Sequence, residues 1–237
     1  MASLCFYLFS FTPFAASGLE LSKGLPHYAR EMEFYYQKER PEILTPLFQN
    51  FYKNGILAKG ENRLMLAAFF AELVKKGKLR LDDFIQQNAA LGKDARHTLA
   101  WTAHLSGIGN EEVYINKLLG NDEKALREQI KRSPRQISAW PLNSEKSIIQ
   151  MYWAAYMASG NPQYPDAILA RALNFARSQN APAAQRDPHG TGSAAAASLY
   201  ELVPRHSAVK ARAQELLAGK SGNEKLILRM ILHEKID

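Results

Sequence analysis

Apolar residues recur along this chain at roughly every third or fourth position, and the segments they define end at glycine or proline. The clearest pair spans Ser144 to Asn180, SEKSIIQMYWAAYMASGNPQYPDAILARALNFARSQN. In its first half, Ile148, Tyr152, Ala155, Tyr156 and Ser159 share a face that Ile149 and Trp153 widen, with Ser144 placed to act as N-cap. Gly160 and Pro162 stop that helix, and Pro165 suits the first turn of the returning one. Ile168, Leu169, Ala172, Phe175 and Ala176 form the second stripe. Two stripes joined by a short loop are expected to pack face to face.

The same pattern runs through the rest of the chain. His27 to Lys38 reads as a helix with an aromatic cluster at Phe34, Tyr35 and Tyr36. In the next segment Ile43, Leu44, Leu47, Phe48 and Phe51 make an apolar face. Pro46 either kinks that helix or marks its true start, with Thr45 as cap. Glu61 to Lys76 contains LMLAAFFAELV, apolar on nearly every side, which marks the most buried helix. Shorter helices are predicted at 82–91, 94–106, 111–119 and 122–132. Residues 133–143 then read as an irregular loop pinned by Trp140. A second hairpin is predicted over 193–203 and 207–218, broken at Pro204, and a last helix over 223–235. No segment alternates with period two, so about eleven helices and no strand are expected. The fold class is all-α: stacked antiparallel helical hairpins, as an irregular α-solenoid or helical bundle. A weak internal similarity between the segments starting at Trp101 and Trp153, 52 residues apart, fits such an arrangement.

The first eighteen residues, MASLCFYLFSFTPFAASG, break the pattern. They carry no charge, hold an apolar run from Leu4 to Phe14, and end in small residues. That is the form of a signal peptide, although no Lys or Arg precedes the run. The run is shorter than the ~20 residues of a transmembrane helix. The expected organisation is a leader over residues 1–18 and one helical-repeat-like domain over 19–237, exported to the periplasm or secreted, with no membrane span in the mature chain. Cys5 is the only cysteine, so removal of the leader excludes disulfides and thiol chemistry. The net charge of +7 favours anionic partners, but only weakly.

Candidate chemistry is sparse. No Gly-x-Ser-x-Gly elbow, Walker loop or His-Glu-x-x-His motif occurs. His97 and His104 lie two helical turns apart, about 10 Å along the axis, too far to chelate one metal ion side by side. The basic clusters at Lys75, Lys76, Lys78 and Arg80, and at Lys124, Arg127, Lys131, Arg132 and Arg135, read as solvated helix faces. The segment most like a site is Arg186 to Ser193, RDPHGTGS, a Gly-rich loop leading into a helix. Helix starts offer unpaired N–H groups, and Arg186, His189, Gly190, Gly192 and Ser193 could together hold a small anion without doing chemistry. No catalytic residue, metal or cofactor is expected.

These features favour a non-catalytic interaction or scaffold protein of the cell envelope, with a protein or peptide partner and with acidic polymer as a second class. The alternatives are a hydrolase or transferase centred on the 186–193 loop, and a cytoplasmic nucleic-acid-binding helical protein. The last requires the leader to be misread. Protein purified from its native host is expected to begin near Ser17 or Gly18 by N-terminal sequencing; an intact Met1 or Ala2 would contradict export.

Overall fold

A computed structural model describes residues 26–179 and 187–235. They form twelve α-helices and no strand, so the protein is all-α, built of helices packed on one another. In chain order these are α1 (Pro26–Glu33), α2 (Leu44–Lys53), α3 (Gly60–Lys75), α4 (Leu81–Asn88), α5 (Lys93–Ser106) and α6 (Glu111–Leu118). There follow α7 (Lys124–Arg132), α8 (Lys146–Ser159), α9 (Gln163–Ser178), α10 (Thr191–Leu202), α11 (Ser207–Ala218) and α12 (Gly222–Ile231). No described helix is long and apolar enough to cross a membrane. Residues 1–18, expected to form a leader, lie outside the described residues.

The core is organised around α3. Its pattern is apolar all round because it has neighbours all round: α5 packs along one side, α8 along another, and α2 and α4 close the N-terminal flank through Phe48 and Phe84. Leu66, Phe69, Phe70 and Leu73 are fully buried, each contributing about 1.5–3 kcal/mol by removal from water. Ala67, Ala68 and Ala71 are buried among them, as are Ala100 and Ala103 of α5 and Ala154, Ala155 and Ala158 of α8. Small residues on all three helices leave little side-chain volume between the backbones. Phe48, Phe70 and Phe84 close a ring cluster, with centroids 4.7 to 5.5 Å apart.

The α8–α9 hairpin forms as its sequence predicts, yet α8 packs more extensively on α3 than on α9. Periodicity shows that a face is buried but not which neighbour buries it. Three local expectations are corrected. Ser144 is not the N-cap of α8: its hydroxyl donates to Pro141 O at 2.8 Å, closing a turn, and the helix begins two residues later behind an extended Glu145. Thr45 does not cap α2 and Pro46 does not kink it. A 3-10 turn over Pro41–Ile43 runs into the helix, so Pro46 falls in the first turn, where its missing N–H has no intrahelical partner to lose. The helix predicted over His27–Lys38 stops at Glu33, because the Tyr36 N–H leaves the helical path to donate to Met157 O of α8 at 2.9 Å.

Long-range polar contacts join the packed layers. Arg63 of α3 donates to Leu57 O and to Asp94 of α5, both at 2.8 Å, and the Lys76 ammonium lies on Ser159 O at the negative end of α8. Trp140 pins the 133–143 segment as expected: its indole N–H donates to Pro134 O at 2.8 Å and its ring meets Trp101 edge-on. Trp153 is buried on α8, with its indole N–H on the Ser198 hydroxyl at 3.0 Å. Trp153→Ala is expected to cost ~3–5 kcal/mol in urea unfolding, as for other large aromatic truncations in cores; an unchanged midpoint would exclude a packing role.

Candidate functional site

The start of α10 is where the sequence places a candidate anion site, and the structure shows what holds its N–H groups. The Asp187 carboxylate accepts from Gly192 N–H at 3.1 Å and from Ser193 N–H at 3.0 Å. The Arg171 guanidinium of α9 donates to the same carboxylate at 2.6 Å and to the buried Thr191 hydroxyl. Burial alone would raise the Asp187 carboxyl; the Ser193 and Gly192 N–H groups and the Arg171 charge outweigh it and hold the group below its ordinary range. The positive end of α10 therefore faces an internal anion.

Three of the five sequence-selected residues, Gly190, Gly192 and Ser193, take part in this arrangement. Gly190 takes the left-handed conformation, φ 62°, that starts the helix. Gly192 is required by packing: a Cβ there would lie 2.4 Å from Phe175 Cβ, so it lets α9 and α10 approach each other. Ser193 donates its hydroxyl to Gly190 O at 3.0 Å, His189 is exposed, and Arg186 lies outside the described residues.

Beside this helix start lies an apolar groove of about 250 Å³ between α9, α10 and α12. Phe175, Ala176, Ala196, Leu226, Ile227 and Met230 line it, with Ser193 at its edge. On α12, Ile227, Leu228 and Ile231 turn inward, while Leu226 and Met230, one turn apart, stay 39% and 36% exposed. Arg177, Glu224 and Lys220 form an ion-pair row at the rim, with Lys225 exposed nearby. Leu226, Ile227 and Met230 fall within the last predicted helix, 223–235, as apolar positions. Spacing along the chain does not show that part of this apolar set stays uncovered.

The basic clusters lie on the surface, as expected of solvated helix faces, and most of their cations pair with neighbouring carboxylates or carbonyls. Lys75 pairs with Glu72, Lys78 with Glu39, and Arg80 with Asp83. Arg127 donates to Leu119 O and Gly120 O at the end of α6, Lys131 pairs with Glu112, and Arg135 with Glu111. His97 and His104 serve different partners. His97 bonds Glu123, which Gly120 N–H also holds; burial alone would raise that carboxyl, but the two bonds bring it down to about 2. His104 is buried and donates Nε2–H to Ser133 O at 2.9 Å, leaving Nδ1 3.6 Å from Glu111. Among the described residues no cluster of His, Cys, Asp and Glu could hold a metal ion.

Sequence reasoning missed one buried polar centre. His206, just after the 3-10 turn Val203–Arg205, is fully buried against Phe34, Tyr36, Trp153 and Tyr156. The Tyr36 hydroxyl is 3.0 Å from its Nδ1, and Glu33 Oε1 is 3.6 Å from its Nε2. These residues come from three distant segments, and no spacing in the chain links them.

No protein-family model, curated protein or solved structure matches this chain.

Asp187→Asn is expected to destabilise the protein by about 1–3 kcal/mol at pH 7, since Arg171 loses its buried charge partner. The carboxyl is depressed in the folded state, so its contribution is full above the ordinary carboxylate range and is lost as pH falls through the folded value. Urea midpoints of wild type and variant should therefore converge toward pH 2.

Proposed function

We propose that this chain is an exported, non-catalytic interaction protein of the cell envelope, and that the groove between α9, α10 and α12 receives an apolar segment of a protein partner. The observation that carries this reading is the exposed Leu226–Met230 edge over a groove walled by Phe175, Ala176 and Ala196. Apolar patches framed by polar residues are where soluble proteins meet partners, and a groove between helices suits an amphipathic helix laid along it. The rim carries more positive than negative groups in Arg177, Lys220 and Lys225 against Glu224, which favours a partner with acidic residues beside its apolar stripe.

The groove supports this reading better than the loop supports chemistry. An external anion at the start of α10 would have to displace the Asp187 carboxylate from Gly192 and Ser193 while Arg171 still binds it. At that position the Asp187, Thr191 and Ser193 side chains are already engaged in closing the turn. Binding of an acidic polymer would draw on basic residues that are largely paired within the chain. Export rests on the uncharged apolar run and small residues of the first eighteen positions.

A photo-crosslinking residue at Leu226, introduced in the native host, is expected to trap one protein. The same residue at Val113, equally apolar and 64% exposed on α6, should not. Met230→Glu should abolish the Leu226 crosslink while shifting stability by no more than about 0.5 kcal/mol, as for other surface changes. Equal labelling from both positions, or a crosslink indifferent to Met230→Glu, would overturn the assignment.

A further inference from the structure

The His206 cluster joins residues 33–37 to the body of the protein. Gln37 Nε2 donates to the Tyr36 hydroxyl oxygen at 2.8 Å, so the phenol's own hydrogen is available for His206 Nδ1 at 3.0 Å. The neutral imidazole then carries its proton on Nε2, facing Glu33 Oε1, while Arg205 binds the other oxygen of Glu33 at 3.0 Å. Glu33 Oε1 and His206 Nε2 are both buried without a hydrogen bond. On the opposite side the ring stacks on Trp153 of α8, and the Tyr36 N–H donates to Met157 O of the same helix. The imidazole is the polar centre between the chain following α1 and the end of α8.

We propose that this cluster is an acid-sensitive latch: proton uptake by His206 loosens residues 33–38 from α8 while the helices packed on α3 stay folded. The physical cause is the uncharged form that the contacts require. A doubly protonated imidazole no longer accepts from Tyr36, and its charge sits in an aromatic enclosure beside the Arg205 guanidinium. The groups around the imidazole are Glu33, Tyr36 and Arg30 from the N-terminal element, Arg205 from its own turn and Tyr156 from α8; α10 contributes the uncharged Ser198, bonded to Trp153. Met32 and Tyr35 are buried in the core, Tyr35 against Phe69 of α3 and not against α8, so release from α8 is a local opening and not detachment of α1.

Burial, with help from Arg205, brings His206 down to about 4. A base depressed in the closed state contributes stability above its open-state value, ordinarily ~6.5, and that stability is lost as pH falls toward the closed-state value. Burial raises Glu33, which takes its proton more readily when closed and offsets part of the loss. The net expectation is a roughly tenfold rise in local opening between pH 7 and pH 5.

Native-state hydrogen exchange, corrected for the intrinsic pH dependence of amide exchange, tests this. The Tyr36 amide should lose about tenfold protection between pH 7 and pH 5, while amides of Leu66 to Leu73 in α3 keep theirs. In His206→Gln the Tyr36 amide should show no such change. Should that variant fail to fold, Tyr36→Phe provides the second reading: without the hydroxyl that holds Nδ1, the opening midpoint should move up toward the ordinary histidine range. Loss of protection in parallel at Tyr36 and in α3, no loss at Tyr36, an unaltered pH dependence in His206→Gln, or an unmoved midpoint in Tyr36→Phe would overturn the latch.

Discussion

The structure depends on burying one helix on all sides. An α-helix with a single apolar stripe needs one neighbour. α3, with Leu66, Phe69, Phe70 and Leu73 distributed around it, needs several, and it takes them from distant parts of the chain. α5 and α8 lie against it because alanines on all three helices permit close packing, and α2 and α4 fill the remaining flank with phenylalanine rings. The outer helices are held by what this centre leaves over. α6 follows α5, while α9 follows α8 and forms with α10 and α12 a second layer.

That second layer is where the uncovered apolar surface lies. α9 and α10 approach closely because Gly192 leaves room for Phe175, and the start of α10 is tied to α9 through Arg171, Asp187 and Thr191. The same contacts that order the turn neutralise the start of α10. Further along, α12 crosses both helices with only part of its stripe inward, so Leu226 and Met230 are left over a groove. An exposed pair of apolar side chains over a groove walled by packed helices suits contact with another hydrophobic surface.

Charge is distributed by a similar logic. A chain of net charge +7 can present a basic face or can use its cations internally. Here Arg63, Lys76 and Arg127 hold backbone carbonyls at helix ends and neighbouring turns, and Lys75, Lys78, Lys131 and Arg135 pair with carboxylates. The exposed pairs contribute little individually to stability. These pairs offset part of the positive charge on the faces where the sequence concentrates it.

Local order was legible in the sequence. The all-α class, most helix ends, the glycine and proline stops and the all-round burial of α3 follow from periodicity and backbone stereochemistry, which act over a few residues. Local competition escaped it where a nearby partner was stronger, as at Ser144, whose hydroxyl bonds Pro141 O, and at Tyr36, whose amide bonds α8. Of the candidate site, the sequence identified the glycines and the helix start, but not that Asp187 and Arg171 would meet there or that Gly192 serves Phe175. It carried no trace of the His206 cluster, whose members come from residues 33–36, 153–156 and 206. Spacing along a chain reports which face of a helix is apolar; which faces meet, which stay bare and which charges cancel are decided only when helices far apart in sequence compete for the same neighbours.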